Sequence, residues 1–225
     1  MIDGILIVDK DKNMTSHDVV AKVRRRFDIK KVGHAGTLDP NATGVLVLLL
    51  GKATKLSNSF LNEEKEYSAI MKLGERTDSG DCEGKIIARK SIISDSTGIE
   101  SVVAGFKGEI DQMPPMFSAK KINGKRLYKL ARKGIQVERA RVRVTIKDIR
   151  VLKVELPLVV FDTICSKGTY IRQLADDIGE KLGCGAHLTE LRRMRSGTFS
   201  LENAVTILDI DKMTQEDLNE SIIRI

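Results

Sequence analysis

Gly33-His34-Ala35-Gly36-Thr37-Leu38-Asp39-Pro40-Asn41-Ala42-Thr43-Gly44 leads without a break into Val45-Leu46-Val47-Leu48-Leu49-Leu50-Gly51. The second half is a continuous apolar run closed by glycine, the pattern of a strand buried on both faces. The first half is its opposite. Gly33, Gly36, Pro40, Asn41 and Gly44 punctuate Lys31–Gly44 as a polar, turn-rich loop. Such a loop set against a core strand is where a scaffold carries function. It holds one carboxylate, Asp39, and one imidazole, His34. Asp-Pro-Asn also suits an ordinary turn, because short polar side chains bond their own backbone. No second His, Cys or acid lies close enough in sequence to complete a metal site. Neither glycine-rich phosphate motif occurs.

Working outward, Ile5–Val8 reads as a strand. Thr15-Ser16-His17-Asp18 caps a helix that carries Val19, Val20, Val23 and Phe27 at helical spacing. Ala53–Leu61 and Glu100–Phe106 read as short helices, and Tyr67–Leu73 as a strand. Arg76–Gly84 is a second polar loop. Pro114-Pro115 breaks the chain before a basic helix that starts at Gly124 and closes at Gly134. Arg141–Glu155 and Leu158–Cys165 read as strands, and Tyr170–Leu182 as an amphipathic helix. Helices and strands mix without regular alternation, so the fold class expected is α+β.

The chain has 225 residues, 41% of them hydrophobic, no Trp and 4% aromatics, so its core is mainly aliphatic. No apolar run reaches the roughly 18–20 residues a membrane span needs, and the start of the chain lacks a signal-peptide pattern. The expectation is a cytoplasmic protein. Cys82, Cys165 and Cys184 are too few and too scattered for a disulfide framework. Cys184-Gly185-Ala186-His187 has ligand-type spacing but no second pair, so no metal is expected.

The +7 charge is segregated. Between Lys120 and Arg143 stand ten basic residues and one acid, Glu138. Arg24-Arg25-Arg26 with Lys30 and Lys31 forms a second basic knot, and Arg192-Arg193 with Arg195 a third. Residues 202–225 are acidic. Segregated positive charge is the footprint of a protein that grips a phosphate backbone, although a solvated face looks the same on charge alone.

Several motifs together bring the chain to a known family. The loop around Asp39 resembles the catalytic motif of the TruB pseudouridine synthases, H-[AT]-G-[AT]-L-D-P-x-A-[TS]-G-x-L. Arg76-Thr77-Asp78 with Asp81 and Gly84 resembles a second family stretch, and Gln112-Met113-Pro114-Pro115-Met116-Phe117-Ser118-Ala119-Lys120 a third. Gly124-Lys125-Arg126-Leu127-Tyr128 with Ala131-Arg132-Lys133-Gly134, Cys165–Arg172, and Leu182–Leu188 through Leu191-Arg192-Arg193 also fit, in order, over roughly residues 3–210.

The resemblance implies a pseudouridine synthase fold: a mixed, mainly antiparallel central sheet flanked by helices, with an RNA-gripping insertion at about 112–143. It implies a catalytic domain over 1–210, followed by a short acidic tail, 211–225, without a complete PUA-type domain. The activity implied is uridine-to-pseudouridine isomerisation in the T-arm of tRNA (position 55 in tRNA numbering), by a monomer and without a cofactor. Asp39 corresponds to the catalytic carboxylate, Arg172 to the guanidinium that pairs with it, and Tyr67 to the tyrosine that stacks on the target base. His34, Tyr170, Leu191, Asp78 and Lys167 are the implied substrate-binding residues. Lys120, Lys121, Lys125, Arg126, Lys129, Arg132 and Lys133 are the implied backbone contacts. Arg172, at a helix start where the dipole disfavours a cation, is expected on physical grounds to have an acidic partner, although a surface arginine reads the same. The competing readings are a non-catalytic RNA chaperone and the same chemistry on another RNA.

Overall fold

The computed structural model describes residues 2–118, 120–122, 124–131 and 133–225, with Lys121 described by its backbone alone. In chain order the elements are β1 (Gly4–Lys10), α1 (Ser16–Arg26), β2 (Val32–Ala35), β3 (Thr43–Leu50), a 3-10 helix (Gly51–Leu56), α2 (Ser57–Leu61), β4 (Lys65–Leu73), β5 (Glu75–Thr77), β6 (Ile86–Arg89) and α3 (Ser96–Ala104). They continue with β7 (Gly108–Gln112), β8 (Lys121–Ile122), β9 (Lys125–Arg126), α4 (Leu127–Ala131), β10 (Val142–Glu155), β11 (Leu158–Cys165), α5 (Ile171–Lys181) and β12 (Ala186–Ser196). β13 (Phe199–Ser200), a 3-10 turn (Leu201–Asn203), β14 (Val205–Thr206), α6 (Ile207–Lys212) and α7 (Gln215–Ser221) close the chain. The class is α+β, as the irregular mixing of helices and strands in the sequence implies. Among the described residues no helix is long and apolar enough to cross a membrane.

The chain divides into two compact units, Met1–Tyr67 with Leu191–Ile225, and Ser68–Glu190. In the first, β3 is the central strand. β1 runs antiparallel to it from Gly4↔Leu50 to Lys10↔Gly44, and β2 pairs with it from Val32↔Leu50 to Ala35↔Val47. The end of β12 joins β3 in parallel at Arg192↔Thr43 and Arg193↔Gly44. The β14 strand lies parallel to β1, and Ile5 bridges to Ile223. Val45–Leu50 are fully buried, which is why that run shows no polar alternation. Its alternate members Val45, Val47 and Leu49 pack with Ile5, Ile7, Ala35 and Ala53, and Phe60 and Phe199 cover the cluster.

Helix α1 begins as its sequence dictates. The Thr15 hydroxyl accepts a bond from the Asp18 amide, and Asp18 accepts one from the Thr15 amide. Val19, Val20 and Val23 form the buried face. The expected Lys31–Gly44 loop is shorter than its glycines suggest, because Val32–Ala35 pairs with β3 and only residues 36–42 remain irregular. The segment 211–225, expected as a tail, contains α7 and the Ile223 bridge to β1.

In the second unit β10 and β11 form a long antiparallel hairpin with two register shifts, and β7 pairs antiparallel to β10. The amphipathic α5 buries Ile171, Leu174, Ala175 and Ile178. Arg76 is tied to α5 by a two-bond pair with Asp176 at 2.6 and 2.7 Å. The basic helix expected from Gly124 is a single turn, α4. Gly124 instead takes φ +75° as the tip of the β8–β9 hairpin, a conformation that suits glycine.

Candidate active site

In the first unit the 36–42 loop is held by its backbone at three carbonyls, and Arg193 also binds one on the adjoining β3. Arg193 Nη2 donates to the Gly36 carbonyl at 3.0 Å, and Arg193 Nε donates to that of Val45 at 2.7 Å. The Ser16 hydroxyl donates to the Leu38 carbonyl and accepts from the Leu38 amide. Lys10 Nζ donates to the Pro40 carbonyl at 3.0 Å, and also to those of Asp11 and Met14. Ala42 N donates to the carbonyl of Asp39 itself, closing the Asp-Pro-Asn turn. Leu38 is buried beneath, while Asp39 is partly exposed. The loop is thus held through its backbone, and Asp39 stands on it partly exposed.

Lys10, Ser16 and Arg193 do this holding, and sequence reasoning assigned none of them. Lys10 stands between Asp9 and Asp11 and reads as a solvated charge, yet it is fully buried. Burial pushes its ammonium down to about 8, and the charge of Asp39 is the largest influence opposing that fall. His34 lies on β2 with its ring edge-to-face on His17, centroids 5.5 Å apart. Burial lowers its pKa to about 4, helped by the positive charges of His17 and Arg193. Its Nδ1 is buried without a hydrogen-bond partner.

This gives a pH prediction. His34 titrates near 6.5 when unfolded and near 4 when folded. The unfolded chain therefore binds the extra proton first, and stability falls as pH drops from about 6.5 to about 4. Urea unfolding of His34→Gln will show a smaller loss across that window than the unsubstituted protein. Equal losses would mean that His34 is not the group responsible.

Tyr67 and Leu191 belong to the same unit as Asp39. Tyr67 is 9% exposed on β4, and Leu191 lies on β12 immediately before Arg192, which pairs with Thr43 at the end of the loop.

Asp78, Lys167, Tyr170 and Arg172 belong to the second unit. Arg172, 5% exposed, donates to the carbonyls of Ser79 at 2.9 Å and Phe117 at 2.6 Å. Its acidic partner within the unit is Asp81, at 3.3 Å. Asp78 accepts the Lys85 amide at 2.9 Å, so one of its oxygens holds a turn. The backbone of Tyr170 is gripped on both sides by the buried Gln112, which accepts from its amide and donates to its carbonyl. Lys167 is exposed in the turn between β11 and α5.

Of the expected backbone contacts, Lys125, Arg126, Lys129 and Lys133 are exposed and Lys120 is partly so. Arg132 and the Lys121 side chain lie outside the described residues. The far end of the basic segment is less free than its charge suggests. Arg143 pairs with Asp111 and Glu109 across the β7–β10 ladder, Arg141 donates to the Asp111 carbonyl, and Arg139 to that of Pro114. Cys184 donates to the Gly185 carbonyl, and His187 Nδ1 meets that of Glu75. Among the described residues no three His, Cys, Asp or Glu side chains gather as a metal site.

A family model described as TruB family pseudouridylate synthase (N terminal domain) matches residues 24–171, and one described as tRNA pseudouridylate synthase B C-terminal domain matches residues 172–224. A Syntrophotalea carbinolica protein named tRNA pseudouridine synthase B is 51% identical over the whole chain, which spans 74% of that relative. The Chlamydia felis protein of the same name is 50% identical over 90% of the chain and 86% of its own length. Among solved structures, a Cbf5-Nop10-Gar1 complex contains a chain 33% identical with a TM-score of 0.77, covering 98% of this chain. An H/ACA RNP bound to a substrate RNA containing 2'-deoxyuridine contains one 30% identical with a TM-score of 0.71. The present chain spans 60% and 57% of the lengths of those two chains.

Proposed function

Since the chain belongs to the TruB family of pseudouridylate synthases, we propose that it is a tRNA pseudouridine synthase that acts on a T-arm uridine, with Asp39 as the reacting carboxylate. The observation that carries this reading is the partly exposed Asp39 on a short loop strapped at the carbonyls of Gly36, Leu38 and Pro40. The target uridine is stacked in folded RNA. It must be extruded before a carboxylate can reach its sugar, at a cost on the order of a few kcal/mol. Asp39 then either attacks C1′, forming an ester bond that breaks again when C5 bonds to that carbon, or removes a ribose proton to give a glycal and returns it as C5 adds. The N1–C1′ bond breaks, the uracil turns, and C5 bonds to C1′. The C5 proton leaves to solvent, and N1 takes one up. An anionic uracil is a competent leaving group, so one well-placed carboxylate with electrostatic support suffices.

In the same reading Arg172 steadies the Asp39 carboxylate and Tyr67 stacks on the base. His34, Tyr170, Leu191, Asp78 and Lys167 line the nucleotide's place. The enzyme works as a monomer in the cytoplasm and needs no cofactor. tRNA labelled with tritium at uracil C5 tests the chemistry: turnover releases label to water. A T-arm stem-loop should release it as full tRNA does, and label released only from other RNAs would move the activity to a different substrate.

Lys125, Arg126, Lys129 and Lys133 supply the grip on the RNA backbone. Affinity for tRNA will fall steeply with salt, and replacing these four by Ala will lower the slope of log K against log salt by about three to four, near one per phosphate contact. An unchanged slope would move the grip elsewhere.

A further inference from the structure

The Arg192-Arg193-Arg195 knot looks in sequence like one more RNA-facing patch, but Arg193 is only 1% exposed. A guanidinium buried that deeply is costly unless its donors are used, and no phosphate can reach it there. It donates to two carbonyls, those of Gly36 at 3.0 Å and Val45 at 2.7 Å. These residues flank the Asp39 loop, Gly36 at its start and Val45 just after its end. One planar, rigid fork thus fixes the span across which the loop is stretched. Gly44 makes the approach possible. It takes φ +99°, and a Cβ there would lie 2.2 Å from the Arg193 carbonyl oxygen. The backbone of β12 at Arg193 therefore presses directly against the root of the loop, and the Arg193 side chain starts from that point.

We propose that Arg193 is a positioning residue for Asp39, setting the height and direction of the carboxylate by holding both ends of its loop. The proposal rests on the reading of Asp39 as the reacting group. Electrostatics offers an independent handle. The positive charge of Arg193 helps hold down the pKa values of both His34 and Lys10, so its removal leaves a mark on an imidazole that any titration can read.

The test compares Arg193→Gln and Arg193→Lys with the unsubstituted protein. It measures single-turnover rate, tRNA affinity, thermal midpoint and the NMR titration of His34. Displacements near 1 Å cost on the order of 100-fold in rate. Arg193→Gln should therefore turn over about 100-fold more slowly with tRNA affinity within about twofold, and His34 should titrate closer to its ordinary value. Arg193→Lys keeps the charge but cannot span both carbonyls. It should leave the His34 titration in place and still lose about tenfold in rate. Unchanged rates in folded variants would overturn the proposal. So would a rate loss matching the unfolded fraction, or a site that folds with neither replacement, since either means plain structural support. If the unsubstituted protein makes no pseudouridine, the reading of Asp39 fails instead, and the variants are not the cause.

Discussion

Asp39→Asn will release tritium from C5-labelled tRNA at least about 1000-fold more slowly than the unsubstituted enzyme, while binding tRNA normally. The amide matches the carboxylate in shape but has neither its charge nor its basicity, so the reacting group is removed and the site keeps its form. The fold should survive. The loop is held through carbonyls and the Leu38 amide, and the turn bond from Ala42 ends on the backbone of Asp39 rather than its side chain. Loss of the charge should also leave a trace at Lys10, whose ammonium is supported by Asp39. It will release its proton below the about 8 it has beside the carboxylate. Turnover that persisted in the variant would remove Asp39 from the chemistry, and normal tRNA binding without turnover by the unsubstituted protein would favour the chaperone reading.

Gly44→Ala will be the most damaging single-methyl change in the first unit, with a loss of at least about 4 kcal/mol in stability, a size reserved for steric conflicts that cannot relax. Two costs add. The φ of +99° is unfavourable for any L side chain. In addition, the new Cβ would sit 2.2, 2.8 and 2.9 Å from the Arg193 O, N and C atoms, all backbone. A flexible side chain could swing aside, but a paired strand cannot move without breaking the β3–β12 register at Arg193↔Gly44. Gly183→Ala separates the two costs. Gly183 has φ +79° and nothing within 4 Å of its added Cβ, so it should lose only about 1–2 kcal/mol. Denaturant midpoints will show the difference, and similar losses at both sites would mean that the close approach of the strands contributes nothing.

Much of the fold is legible because local chemistry and tertiary placement agree. The Val45–Leu50 run is a buried strand, the Thr15–Asp18 box starts a helix, and the apolar stripe of residues 171–182 faces a core. What stays hidden is long-range. The β2 strand is masked by two glycines and owes its existence to pairing with β3. A stretch as basic as Leu191–Ser196 reads as surface, although Arg193 is interior. Arg143 reads as free charge until Asp111 and Glu109 are seen across the ladder. At the site, Asp39 is visible as a carboxylate in a functional loop, but its role comes from the motif. Lys10, Ser16 and Arg193 could not be assigned, because which carbonyls they hold is decided 22 to 157 positions away along the chain.

The β1 strand has its outer edge closed by Val205–Thr206 and by Ile223. At a ribosomal pace of about 5–20 residues per second, roughly 10–40 s separate the emergence of Lys10 from that of Val205. Throughout that interval the nascent chain carries an unsealed, largely apolar ribbon, the kind of template on which strangers assemble. Translation of this protein thus has a vulnerable waiting period built into its connectivity, and anything that covers such a ribbon as it emerges will matter more for its yield than for that of a protein whose first strand closes early.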